Sequence, residues 1–216
     1  MGRKRTLILI ALLALGLSAR AQYQFLKPEL GVGVNQGVNL MPRVGFTPSV
    51  EQEFDVRYHG GVTLRYAIQR HFGVQAEVNY SRLGWKEIDD NGTYKRQLDY
   101  LEIPFLSHLS FGRRVTRVII HLGPEFRFLL HESASGYADG GEQRSMSIDN
   151  RFDFGLTGGL GVEFRTRSAG FFLLEARYNF GLSNLFDDDP GSQFSRSGNQ
   201  AILVSFTYLY DVLKNK

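Results

Sequence analysis

The sequence predicts an all-β protein, an eight-stranded antiparallel up-and-down transmembrane β-barrel behind a cleaved leader. Three observations predict it: segments alternate apolar and polar residues, the connections between them alternate long and short, and Gly, Phe and Tyr are abundant, at 24, 17 and 10 of 216 residues. Alternation with period two marks a strand with two different faces. Abundant aromatics favour strands over helices and exclude a chain disordered throughout. The absence of Cys excludes a disulfide scaffold, a thiolate metal site, a Cys nucleophile and lipid attachment through an N-terminal Cys. A single short apolar run excludes a polytopic helical membrane protein.

That run occupies residues 7–17, after Arg3, Lys4 and Arg5, and Ala19-Arg20-Ala21 follows as an A-x-A pattern. The layout is that of a secretory signal peptide over residues 1–21, cut between Ala21 and Gln22, with one barrel domain over residues 22–216. As a helix the run spans about 16 Å against a hydrocarbon core of about 30 Å, too short for an anchor. Loss of Arg3, Lys4, Arg5 and Arg20 changes the formal net charge from +3 to −1. The apparent basicity therefore lies in the discarded segment, and no basic cluster with interleaved aromatics remains to bind nucleic acid.

Residues 30–40 read as a weak first strand, and residues 62–66 as a second that sets Val62, Leu64 and Tyr66 against Thr63 and Arg65. Residues 74–81 alternate most clearly; Leu101-Glu102-Ile103 marks the fourth strand and residues 122–130 a weaker fifth. Residues 154–164 set large apolar side chains against Gly, Thr and Glu, and residues 172–180 and 202–210 complete the eight. Between them, connections 41–58, 84–97, 131–148 and 181–198 are long and rich in Gly, Ser, Asp and Asn, while 68–72, 111–117 and 165–169 are short. Short periplasmic turns and long extracellular loops characterise outer-membrane barrels, and an even strand count puts both termini on the periplasmic side. Ten residues at about 3.4 Å rise, tilted about 40°, cover roughly 26 Å, the height of their apolar band.

A soluble lipocalin-type barrel, apolar inside, would alternate equally well. The membrane arrangement is favoured by the aromatics of the apolar parity, several near strand ends as interfacial girdles require, among them Tyr66, Tyr80, Phe128, Phe164, Tyr178 and Tyr210. It is favoured also by Gly155, Gly159 and Gly161 on the polar parity, where a crowded lumen would want glycine, and by the strict alternation of loop length.

Several segments then carry a resemblance. Glu77-Val78-Asn79-Tyr80-Ser81-Arg82-Leu83-Gly84, Tyr100-Leu101-Glu102-Ile103-Pro104, Leu122-Gly123-Pro124, Asp153-Phe154-Gly155-Leu156 and residues 177–184 occur in this order. Over roughly residues 25–210 the chain resembles the PorT-like outer-membrane β-barrel family of Bacteroidota, the Tyr-Leu-Glu-Ile-Pro segment being the most specific match. The resemblance implies an eight-stranded outer-membrane barrel, and through the founding member an association with type IX secretion. Where many such barrels end on an aromatic residue that assists insertion, Tyr210 is followed by Asp211 to Lys216.

The polar parity places Arg65, Glu77, Glu102, Glu125, Arg127, Glu163, Glu175 and Arg177 on one face of their strands. Eight strands leave an interior just wide enough for side chains, so these charges must pair there. Glu125/Arg127 and Glu175/Arg177, two residues apart on one face, suit bidentate pairing. A structural salt-bridge plug is the expected reading, with a gated ion path through rearranged pairs as its rival. His131-Glu132-Ser133 hints at catalysis, because lipid-A deacylase barrels use a similar His-x-Ser pair. By parity, however, His131 continues the lumen row of Glu125 and Arg127, and His59, His71, His108 and His121 are scattered. Asp187-Asp188-Asp189-Pro190-Gly191 lacks the twelve-residue calcium loop and reads as a solvated turn. Asp89-Asp90-Asn91-Gly92 reads as the tip of a hairpin continuing beyond the membrane, with Asn-Gly in the turn and Trp85 near the outer interface. Residues 155–161 are no phosphate loop, since neither helix nor Lys follows.

The expected function is a non-enzymatic outer-membrane barrel with a structural or interaction role, without metal or cofactor. A component associated with type IX secretion and a lipid-modifying enzyme using His131 and Ser133 are the alternatives. Expected partners are outer-membrane lipid and lipopolysaccharide, the barrel-assembly machinery, and secretion or envelope proteins met through the loops.

Overall fold

In a computed structural model, residues 28–47, 52–89, 92–113, 115–136, 148, 150–166, 169–186 and 196–213 are described. Eight strands run in chain order: β1 (Glu29–Thr47), β2 (Val56–Ala67), β3 (Phe72–Asp89), β4 (Gly92–Gly112), β5 (Thr116–Ser135), β6 (Phe152–Arg165), β7 (Phe171–Gly181) and β8 (Arg196–Asp211). Each pairs antiparallel with its chain neighbours, and β8 pairs with β1 to close the barrel. Closure removes every free edge in the body of the sheet. The Val212 amide donates to the Leu30 carbonyl at 2.8 Å, so β1 begins and β8 ends at the same end of the barrel, that of the short turns.

Burial follows the two parities, and the inside is the polar one. On β3, Gln75, Glu77, Asn79 and Ser81 are buried while Val74 and Val78 are exposed; on β7, Glu175, Arg177 and Asn179 are buried while Leu174 and Tyr178 are exposed. The outward aromatics pack as tilted pairs across strands, with ring centroids 5.3 Å apart for Phe128–Phe152 and 5.2 Å for Phe172–Tyr208. An apolar exterior around a charged interior inverts a soluble protein and suits a hydrocarbon surround. Glycine admits the bulk inside: a Cβ on Gly159 would lie 2.6 Å from Arg177 Cγ, and one on Gly161 2.8 Å from Leu173 Cδ1.

Four details differ from the sequence reading. The strands are longer than their alternating cores, most of all β4, of which only residues 101–103 stand out by pattern. The expected hairpin does prolong β3 and β4, in register up to Asp89↔Gly92, but the start of a segment expected as a loop joins it, β5 staying paired with β4 up to Lys95↔Ser135. Gly92, paired with Asp89, is the first residue of β4 rather than a turn residue; residues 90–91 lie outside the described residues. Trp85 is not at the outer interface but inside, 4% exposed, because it continues the inward row of β3.

At the long-loop end the inward rows change from polar to apolar. Val44, Leu83, Trp85, Leu98, Tyr100, Leu129 and Ala201 from the strands meet Ile148, Leu185 and Phe186 from the connections in one buried cluster. The lumen is thus polar along its middle, with the apolar stopper at the long-loop end and a smaller apolar set, Ile119, Phe171, Leu173 and Leu209, buried towards the short turns.

Candidate functional site: the lumen charge network

All eight charged residues expected in the lumen are buried and point inward. From the short-turn end, Glu29 receives Arg165 Nη1 at 2.7 and 2.8 Å, and Arg165 Nε donates to Glu163 at 2.5 Å. Glu163 also takes Arg65, whose Nε donates to Gln75 at 2.7 Å. One level up, Arg177 donates to both Glu77 oxygens across the barrel, at 2.9 and 2.6 Å, and to Glu175 beside it at 2.8 Å. Glu77 further accepts from Gln75 at 2.5 Å and Asn79 at 2.9 Å. Above this, Arg127 holds Glu125 through two bonds of 2.9 and 2.8 Å and reaches Asp153 at 2.9 Å, with Glu102 at 3.8 Å. Asn199 links Asp153 (2.9 Å) to the Tyr100 hydroxyl (3.2 Å), where the apolar stopper begins.

Fixed forks on carboxylates in a desolvated interior hold their geometry strongly. The expected Glu125/Arg127 and Glu175/Arg177 contacts are present, but the two-bond partner of Arg177 is Glu77, 100 residues away.

Three histidines belong to the same interior, against the expectation that they are scattered. His108 Nδ1 lies 2.8 Å from His121 Nε2, and His121 Nδ1 lies 2.6 Å from Glu175. His59 lies 3.8 Å from Glu102. Asp153 and Arg165 also escaped the sequence reading, although each shares the inward parity of Glu163 on β6. His108 stands at even spacing from Glu102 and His121 from Glu125, so parity alone could have placed both. Among the described residues no group of His, Asp and Glu is arranged to hold a metal ion.

His131 does not continue the lumen row. The register slips between Asp99 and Tyr100: Tyr100 faces Leu129 while Asp99 faces His131, which leaves Leu130 as the extra residue of a bulge. A bulge reverses the parity beyond it. Glu132 accordingly bonds the buried Arg96 at 2.9 Å, and His131 and Ser133 face outward, exposed. The register sets Arg82, Asp99 and His131 in one row, with Gln97 opposite Ser133. Asp99 is engaged by Arg82 at 3.2 Å and Gln97 at 3.1 Å, and among the described residues neither His131 nor Ser133 makes a side-chain hydrogen bond. Residues 187–191, Ala21, Gln22 and the rest of the expected leader lie outside the described residues.

Comparison with solved structures returns outer-membrane proteins at low identity. The chain is similar to Ail of Yersinia pestis in complex with the heparin analogue sucrose octasulfate (15% identity, 85% of this chain and 97% of that one, TM-score 0.44). It is similar to OprG of Pseudomonas aeruginosa (12%, 85% and 95%, TM-score 0.49) and to Outer Membrane Protein W of E. coli (15%, 83% and 98%, TM-score 0.41). A search of curated proteins finds no match. The family model described as "Outer membrane protein beta-barrel domain" matches residues 20–187, most of the closed barrel, and the chain belongs to that outer-membrane β-barrel family.

Proposed function

We propose that this protein is a non-enzymatic outer-membrane barrel with a structural or interaction role, closed to solutes and presenting its long-loop end to partners. The observation that carries this reading is the filled interior: buried Glu–Arg pairs along its middle, then the apolar stopper around Trp85 and Leu98. Interaction is favoured by the continuation of β3, β4 and β5 past their neighbours, as far as Asp89↔Gly92 and Lys95↔Ser135, into a ribbon beyond the barrel body. In this reading residues 1–21 are a signal peptide cut before Gln22, both termini are periplasmic and the ribbon is extracellular. Lipopolysaccharide surrounds the outer half, and the barrel-assembly machinery inserts the chain. The Tyr100 to Pro104 segment supports placement among the PorT-like barrels of Bacteroidota, and a partnership with type IX secretion or other envelope proteins would run through the ribbon and loops. Planar-bilayer recording tests closure: the purified barrel should insert without a steady open current, and a persistent ohmic conductance would overturn the reading.

A second reading, lipid hydrolysis, is favoured by the bulge, which sets His131 beside the buried Asp99 and leaves His131 and Ser133 exposed on the outward face where an acyl ester could reach them. Asp99 is already engaged by Arg82 and Gln97, which weighs against it. Mass spectrometry of lipid A from cells expressing the wild type, His131→Ala or Ser133→Ala separates the two. Identical acylation supports the non-enzymatic role, and a pattern lost with either variant establishes the enzyme.

A further inference from the structure

The three short connections, 68–71, 113–115 and 166–170, contain no Asp or Glu, and arginine stands in or beside each of them. Arg165 is neutralised by Glu29 and Glu163. Arg70 and Arg113 are exposed, and among the described residues neither has a carboxylate partner, whereas Arg117 stands opposite Glu163 in the register. The first two connections touch: Arg117 Nη1 donates to the Arg70 carbonyl at 3.4 Å, and the Ser110 amide to the His71 carbonyl at 3.0 Å. Two uncompensated guanidinium groups, those of Arg70 and Arg113, are therefore gathered on one arc of the rim.

Apolar side chains are interleaved with them. Ile68 and Phe72 flank Arg70 and His71, Phe111 stacks on His71 with centroids 6.0 Å apart, and Val115 is 63% exposed between Arg113 and Arg117. These residues continue the outward band of Val74 and Val118. A soluble anion would leave that apolar surface in water, whereas a lipid leaflet covers it and sets its phosphates level with the arginines. Juxtamembrane cations attract anionic headgroups, and guanidinium groups suit phosphate.

From this juxtaposition we infer that the short-turn rim is a binding site for anionic glycerophospholipid headgroups, with Arg70 and Arg113 on the phosphate and Ile68 and Val115 in the acyl region. The site stands whichever way the barrel is oriented; under the orientation proposed above it selects lipid of the periplasmic leaflet.

The test is binding of phosphatidylglycerol and of phosphatidylcholine to the full barrel in neutral detergent, read by native mass spectrometry. The wild type should prefer phosphatidylglycerol. Arg70→Gln/Arg113→Gln should weaken that lipid by at least tenfold, at roughly fivefold per arginine, and leave phosphatidylcholine unchanged. Arg70→Lys/Arg113→Lys should keep the preference, and heat-modifiable gel mobility shows that each variant is folded. Equal binding of the two lipids by the wild type would overturn the assignment, as would a preference that survives the double Gln variant. Inorganic phosphate competing as well as the lipid would make the rim a site for free anions and overturn it too. None of these outcomes bears on conductance or lipid A acylation, so this inference and the proposed function fail separately.

Discussion

Replacing Arg177 with Met removes the one group that, among the described residues, ties Glu77 to Glu175. In the intact barrel its guanidinium donates at 2.9 and 2.6 Å to Glu77 and at 2.8 Å to Glu175, with all three side chains at most 3% exposed. Glu175 keeps His121 at 2.6 Å, whereas Glu77 keeps only the neutral donors Gln75 and Asn79. A buried carboxylate that loses its cation costs about 3–5 kcal/mol, which is the destabilisation expected for Arg177→Met. Adding Glu77→Gln removes the stranded charge, so the double variant should be more stable than the sum of the single changes by about 2 kcal/mol. It should not return to wild type, because Glu175 stays short of its second donor. The Arg82–Asp99 pair, with side chains 44% and 9% exposed, serves as control, and a smaller effect is expected there because water screens its outer partner. The assay is reversible urea unfolding in lipid vesicles, followed by fluorescence of Trp85, the single tryptophan, which is buried in the stopper. Effects below about 1 kcal/mol and additive at Glu77 and Arg177 would mean that water screens the lumen, and the desolvated-plug argument would be wrong.

Leu160→Arg places a charge on the most exposed part of the outward face, where Leu160 is 63% exposed. In vesicles it should cost roughly 2 kcal/mol of folding free energy, whereas a barrel facing water would be nearly indifferent. Gly159→Ala should destabilise by about 1–3 kcal/mol in the same unfolding assay, since its Cβ meets Ala176 O and Arg177 Cγ, each at 2.6 Å. Leu98→Ala, fully buried in the stopper, should cost about 2–5 kcal/mol, and dye binding at the loop end should rise as the cluster loosens.

The strand class and the inside–outside assignment were legible because both are local properties. Successive side chains of a strand alternate faces, so Gln75, Glu77 and Asn79 had to share a side opposite Val74, Ala76 and Val78. Aromatic placement and loop alternation were enough to say that the polar side faces inward. The Glu125–Arg127 contact was legible for the same reason, since two residues apart on a strand is a contact distance. The inward turn of Trp85 was written in the same parity, as the change from Ser81 to Leu83 on the inner row.

What only the tertiary structure decided is everything that depends on register and closure. Arg177 takes Glu77 rather than Glu175 alone because closure of the barrel sets β3 and β7 facing each other at that level across the lumen. His108, His121 and Glu175 become one chain because β4, β5 and β7 meet inside a barrel too narrow to keep them apart. The outward turn of His131 depends on a single extra residue in β5, signalled in the sequence only by the unbroken apolar run Phe128-Leu129-Leu130. The rim arginines of two separate turns become one patch only because adjacent hairpins stand side by side. Alternation tells each residue which way to face and nothing about its height on the wall. Height is set by hydrogen-bond register around a closed ring, a condition that all eight strands must satisfy together.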